Sequence, residues 1–232
     1  DRANNGIKLT TAGELVRSYA DQIISTYSEM DNEVRKLTGD VQGPMALGAS
    51  TTIGEYVIPR LLGRFQAKFP QVSIRLQVSN TVGVVHMVET NEIDIGIVEG
   101  PVNSESLVSS IWRDDELVVV MPIGHPLDSV AKLTPDKLLR YPFISREEGS
   151  GTRDVIARYL SEQQMDLEDF DVIMELGSPE SIKNAVSAGL GISILSIATV
   201  GKELALKLLV QRSLDHPLTR PFSIIYQRQK FK

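Results

Sequence analysis

Met45-Ala46-Leu47-Gly48-Ala49-Ser50-Thr51-Thr52 and, further along, Val72-Ser73-Ile74-Arg75-Leu76-Gln77-Val78-Ser79-Asn80-Thr81 each run from an apolar segment into hydroxyl and amide side chains. In the second stretch Val72, Ile74, Leu76 and Val78 alternate along the chain, the period-two pattern of a strand with one covered face. Between the two, Ile58, Leu61, Leu62, Phe65 and Phe69 recur at helical spacing, which predicts a helix running to Phe69. A helix over Val82 to Thr90 and a strand over Asp94 to Val98 complete a β-α-β-α-β unit with parallel strands.

A second unit is expected downstream. Leu117 to Met121 is a further apolar run, and Pro122-Ile123-Gly124-His125-Pro126 breaks it. Helices are expected over Pro135 to Leu139, Thr152 to Glu162 and Pro179 to Ala188. Strands are expected over Phe143 to Ser145, Val172 to Glu175, Ile192 to Leu195 and Phe222 to Tyr226. The fold class is therefore α/β with two lobes and a cleft between them, and ligands of such sheets sit at the carboxyl ends of the strands.

Before the first lobe, Thr11-Ala12-Gly13-Glu14 reads as a Thr-x-x-Glu capping box with Thr11 as the cap. Val16, Ala20, Ile23, Tyr27, Met30, Val34 and Leu37 follow at alternating spacings of four and three, the seam of a coiled coil. A helix about 39 Å long needs a partner for that seam, either a second copy or the chain's own globular part. Gly39-Asp40-Val41-Gln42-Gly43-Pro44 ends it and reads as a hinge.

Composition narrows the function classes. A net charge of -6 and a pI near 5.2 argue against direct grip on a polyanion. Cysteine is absent, which leaves no disulfide, thiolate metal site or cysteine nucleophile and agrees with a cytoplasmic location. His86, His125 and His216 are scattered without metal-ligand spacing, so neither metal nor cofactor is expected. No apolar run reaches the roughly 18 residues of a membrane span, and the polar start at Asp1 resembles no secretory signal. That start also lacks an initiator Met, as expected of a piece of a longer chain.

Candidate site residues lie at the strand ends. Ser50, Thr51 and Asn80 stand where helices begin, and so does Ser178 in Gly177-Ser178-Pro179-Glu180. Plain N-capping explains such residues, yet clustered helix starts also offer free amides and partial positive charge to an anion. The loop Ser145-Arg146-Glu147-Glu148-Gly149-Ser150-Gly151-Thr152-Arg153 is more specific. Its glycines admit backbone amides to a ligand, Ser150 and Thr152 add hydroxyls, and Arg153 offers a fork for an oxyanion. The bland alternative has Thr152 capping a helix and Arg153 in solvent. Gly149-Ser150-Gly151 lacks the spacing of a nucleophile elbow, and Gly189-Leu190-Gly191 lacks the third glycine of a dinucleotide fingerprint. No enzymatic activity is expected, and Glu147-Glu148 reads as a solvated face.

The chain resembles LysR-type transcriptional regulators over nearly its whole length. Leu9-Thr10-Thr11-Ala12-Gly13-Glu14 is similar to the stretch that closes their winged helix-turn-helix and opens the linker helix. Pro59 to Phe65 with Phe69-Pro70, Asp94 to Val98, and Ala188-Gly189-Leu190-Gly191-Ile192-Ser193 resemble their effector domain. The resemblance implies a fold of two Rossmann-like lobes of periplasmic-binding-protein type, joined by two crossing segments, with a C-terminal stretch returning to the first lobe. It divides the chain into a winged-helix tail (1–13), a linker and dimerisation helix with hinge (14–43), lobe I (44–120 with 220–232) and lobe II (121–219). It further implies an inducer between the lobes near Ser50, Thr51, Asn80, Thr152 and Ser178, and the donors at the strand ends make that inducer a small anion, an inorganic oxyanion or small organic acid. The partners it implies are a homodimer or homotetramer, operator DNA only through the absent N-terminal domain, and RNA polymerase. Thr51-Thr52-Ile53-Gly54 and Gly149 to Arg153 look most like regulators of sulfur or inorganic-carbon assimilation. A free-standing solute receptor for transport is the competing reading, disfavoured by the seam and by the missing signal peptide.

Overall fold

The structure, a computed structural model, describes residues 2–3, 6–7, 9–38, 41–100, 102, 104–228 and 230, with some side chains of the first long helix left aside. It divides into two compact units, Asp1–Gly43 with Phe69–Val72, and Pro44–Lys68 with Ser73–Lys232.

In the first unit, β1 (Arg2–Ala3) pairs antiparallel with β2 (Gly6–Ile7), and α1 (Thr11–Thr38) follows. The expected cap moves by one residue. Thr10 Oγ1 accepts the Gly13 amide at 3.1 Å and the Thr10 carbonyl accepts the Glu14 amide at 2.8 Å, so Thr11 is already helical. A hydroxyl one position earlier satisfies the same orphan amides. Along the seam Val16, Ile23, Tyr27, Met30 and Val34 are each more than half exposed. The side chain of Leu37 lies outside the described residues, as do Gly39 and Asp40 of the expected hinge.

The second unit holds both lobes. β3 (Gly43–Ser50) and β5 (Ile95–Glu99) run parallel, with β4 (Val72–Ser79) on the other side of β3. β6 (Leu107–Pro122) and β11 (Leu218–Gln227) pair antiparallel over ten residues of β11. β6 then carries β9 (Ser193–Ser196) and β10 (Leu209–Arg212) on its far half. A parallel pair, β7 (Phe143–Arg146) and β8 (Val172–Leu176), joins β9 through a bridge between Phe143 and Ile192. The order β10-β6-β11-β5-β3-β4 thus passes from one lobe to the other through β6 and β11.

Helices α2 (Ile58–Lys68) and α3 (Thr81–Glu89) belong to the first lobe. Helices α4 (Pro135–Leu138), α5 (Gly151–Ser161), α6 (Pro179–Ser187) and α7 (Gly201–Ala205) belong to the second. The apolar run expected at Leu117 to Met121 is only the buried end of a strand that starts at Leu107. The first half of β6 carries Ser109, Ser110, Arg113 and Asp114, and pairing with β11 keeps it extended despite them. The helical segment expected in the first lobe opens at Thr51 and passes through a π-helical turn, Ile53–Val57, before α2. Cores form in each lobe: Val84, Val88, Ile93 and Val98 in the first, and Leu133, Leu138, Phe143 and Phe170 in the second.

Candidate functional site

β3 and β5 run side by side and in parallel, so Ser50 and Glu99 finish at the same edge of the first lobe. Glu99 is the centre of a buried cluster. Its carboxylate accepts the Thr52 amide at 3.1 Å, the Thr152 hydroxyl at 3.0 Å and Arg220 Nη1 at 2.7 Å. Arg220 also donates to the Thr152 hydroxyl at 2.8 Å and, through Nε, to Asp115 at 2.9 Å, and Ser196 donates to Asp115 at 2.7 Å. Thr52 comes from the first lobe, Thr152 and Ser196 from the second, and Asp115 and Arg220 from the shared strands. Burial pushes the Glu99 carboxyl up, yet Arg220 and the donors from Thr52 and Thr152 outweigh it and hold the pKa below the usual range. For Asp115 burial prevails over Arg220 and its pKa is raised.

The loop after β7 docks on the start of α3. Asn80 caps α3 by accepting the Gly83 amide at 2.9 Å, and its Nδ2 donates across the lobes to the Glu148 carbonyl at 3.3 Å. The Val82 amide reaches the Gly149 carbonyl at 3.4 Å. Gly149 has φ +80°, and a Cβ on Gly151 would lie 2.5 Å from the Glu99 carbonyl and 2.6 Å from Thr81 Oγ1. Both positions demand glycine, one for its backbone and the other for its lack of a side chain.

Around this junction, four buried polar atoms of the strand ends and helix starts have no hydrogen-bond partner among the described residues, Ser50 Oγ, Thr81 Oγ1, Ser150 Oγ and Arg146 Nη1, and within the Glu99 cluster Arg220 Nη2 has none either. Ser150 holds the N-cap position of α5 without a capping bond from its side chain. Arg146, at the end of β7, is 3% exposed, and its charge acts on Glu99 and on Glu55 in the first lobe. Its Nε and Nη2 are held by Glu147 at 2.7 and 2.9 Å. A second bridge between the lobes joins Tyr56, on the π-helical turn, to Glu180. Lys183 stands under the Tyr56 ring at 4.9 Å and bonds to Glu203 at 2.7 Å.

Of the residues expected from sequence, Ser50, Thr51, Asn80, Ser150 and Thr152 gather here. The Thr51 hydroxyl is engaged by the Ser79 carbonyl at 3.2 Å, and that of Thr152 by Glu99 and Arg220. Arg153 has other company: it pairs with Glu175 and donates to the Arg146 carbonyl at 3.1 Å, so its guanidinium braces the β7 end. Ser178 caps α6 by accepting the Ser181 amide at 3.2 Å. The sequence reading passed over Arg146, Thr81, Glu99 and Arg220. An arginine ending the short run Phe143-Ile144-Ser145 was a usable signal for Arg146, whereas Glu99 and Arg220 meet only through the fold. Among the described residues no group of three or more His, Asp or Glu could hold a metal ion, and no helix is long and apolar enough to cross a membrane.

The family described as LysR substrate binding domain matches residues 38–232. The chain belongs to the LysR family. It is 34% identical to a probable RuBisCO transcriptional regulator of Cyanidium caldarium over the whole chain and 74% of that protein. A protein of the same description from Cyanophora paradoxa is 35% identical over 90% of the chain and 65% of its own length. Among solved structures, the CcmR regulatory domain of Synechocystis PCC6803, in complex with 2-PG, superposes with a TM-score of 0.74 at 35% identity, covering 82% of this chain and 89% of that one. This LysR chain is thus the effector-sensing region of a transcriptional regulator, built as two lobes of periplasmic-binding-protein type, and is neither a transport receptor nor an enzyme.

Proposed function

We propose that the effector is a small anion bound between the lobes, where the carboxyl ends of β3, β5 and β7 meet the starts of α3 and α5. The four buried donor atoms of Ser50, Thr81, Arg146 and Ser150 that lack partners carry this reading. Buried polar groups are rarely left unpaired, since each costs about 1–3 kcal/mol, and a ligand that accepts from all four would recover that cost. The helix starts add amide donors and partial positive charge. Inorganic oxyanions and small organic acids both suit these donors. The 2-PG held by the CcmR domain adds weight to a phosphate-bearing acid, and the RuBisCO regulators favour carbon over sulfur assimilation. Of the expected residues, Ser50 and Ser150 would contact the ligand, Asn80 and Thr152 would set the junction, and Arg146 takes the cationic role expected of Arg153.

In this reading residues 14–43 form the linker helix through which copies associate. Operator DNA is met by a winged helix ahead of it, in the cytoplasm, with RNA polymerase as a further partner. Residues 44–120 with 220–232 and residues 121–219 form the two lobes, whose closure transmits occupancy.

Thermal unfolding with sulfate, phosphate, 2-PG and small carboxylates tests the site. A bound anion at a hundredfold excess over its Kd adds about 2.7 kcal/mol and raises Tm by several degrees. In Arg146→Met that rise disappears. An undiminished rise in the variant places the anion elsewhere.

A further inference from the structure

Arg146 is the cation of the proposed effector site, and it does not stand there alone. Glu147 lies against its side-on edge, with Oε2 2.7 Å from Nε and Oε1 2.9 Å from Nη2, the two-bond geometry in which a guanidinium meets a free carboxylate ligand. The side chain of Arg146 is 2% exposed and that of Glu147 23%, so the acid covers the base from the solvent side. Nη1 is the guanidinium nitrogen left without a partner among the described residues.

The ion pairs within the junction join Arg220 to Glu99 and Asp115, and Arg146 to Glu147, and the Arg146 charge also reaches Glu55 of the first lobe. Glu99 and Asp115 are committed to Arg220. Glu147 is the carboxylate hydrogen-bonded to Arg146, so its charge bears most directly on how strongly an incoming anion is held. A neighbouring unit charge matters greatly in a place removed from water, where the effective dielectric constant is about 20 or lower.

We propose that Glu147 is the affinity-setting residue of the effector site, a resident carboxylate that offsets Arg146 and keeps anion binding weak enough to be reversible. This rests on the anion reading of the same site and adds to it the residue that limits affinity. Glu147→Gln keeps the size of the side chain and one acceptor oxygen for Arg146 but removes the opposing charge.

The test is calorimetric titration of the whole chain with sulfate and with phosphate, for wild type, Glu147→Gln and Glu162→Gln. Glu162 is an exposed residue at the far end of α5, and its variant changes the total charge by the same amount. The expected result is a Kd at least tenfold lower in Glu147→Gln, with Glu162→Gln within twofold of wild type. Equal effects of the two variants would overturn the proposal by reducing it to net charge. Weaker binding in Glu147→Gln would overturn it too, with Glu147 then an orienting partner of Arg146. If wild type and both variants bind neither anion, nor 2-PG or small carboxylates in the same titration, the site reading falls and this proposal falls with it.

Discussion

Gly151 has space for a hydrogen and nothing larger, since a methyl group would press on backbone of β5 and on the Thr81 hydroxyl. Gly151→Ala is expected to cost about 1–3 kcal/mol, typical of overpacking, read as a lower urea midpoint with unchanged m-value. Glu99 gives a pH prediction at the same scale. Its folded pKa lies below the ordinary 4.5, so the stability it contributes is complete above that pH and is lost as pH falls toward the depressed value. Asp115 acts oppositely: its raised pKa lets the folded state take up a proton early and offsets part of the loss. Glu99→Gln should therefore be less stable than wild type at pH 7 and show a shallower decline between pH 5 and about 3 in urea titrations; a steeper decline would contradict the assignment. At this scale the sequence was partly legible. Ser50, Asn80 and Ser150, picked out by their places at strand ends and helix starts, do lie together at the junction. The pairing of Arg153 with Glu175 was not legible, because it depends on a residue of the neighbouring strand.

Periodicity located most elements, since α3, α5, α6, β4 and β8 lie within a residue or two of the spans the pattern predicts. It missed β10 and the first half of β6, where pairing and not side-chain polarity keeps the chain extended. The π-helical turn at Ile53–Val57 has no sequence signature of its own, yet it carries Tyr56 toward Glu180. The seam of α1 is both legible in the sequence and exposed in the structure. Tyr19, Gln22, Ile23, Thr26, Tyr27 and Met30 line a groove of about 440 Å³ on that helix. If copies of the chain join there, Ile23→Asp puts a charge in the middle of the seam and should shift the protein toward monomers. Sedimentation equilibrium at matched concentrations measures this, and an unchanged mass distribution would exclude the seam as the contact.

At the scale of the molecule, the lobes share β6 and β11 and should not melt separately. Trp112, the sole tryptophan, lies on the part of β6 paired with β11, and its fluorescence should change at the same urea concentration as far-ultraviolet circular dichroism. Two separated midpoints would mean that the buried cluster of Glu99, Arg220 and Asp115 does not bind the halves into one folding unit. The two-lobe plan was readable from strand and helix alternation alone, whereas the passage between lobes was not, because it lies in the pairing of strands far apart in sequence. That passage has a mechanical meaning. A two-stranded antiparallel ribbon resists stretching through its ladder of hydrogen bonds but twists with little resistance, and this one has a register shift at Phe222/Ser223. Motion between the lobes is expected to run as rotation about the ribbon, and a ligand that closes the proposed site would be read as an angle.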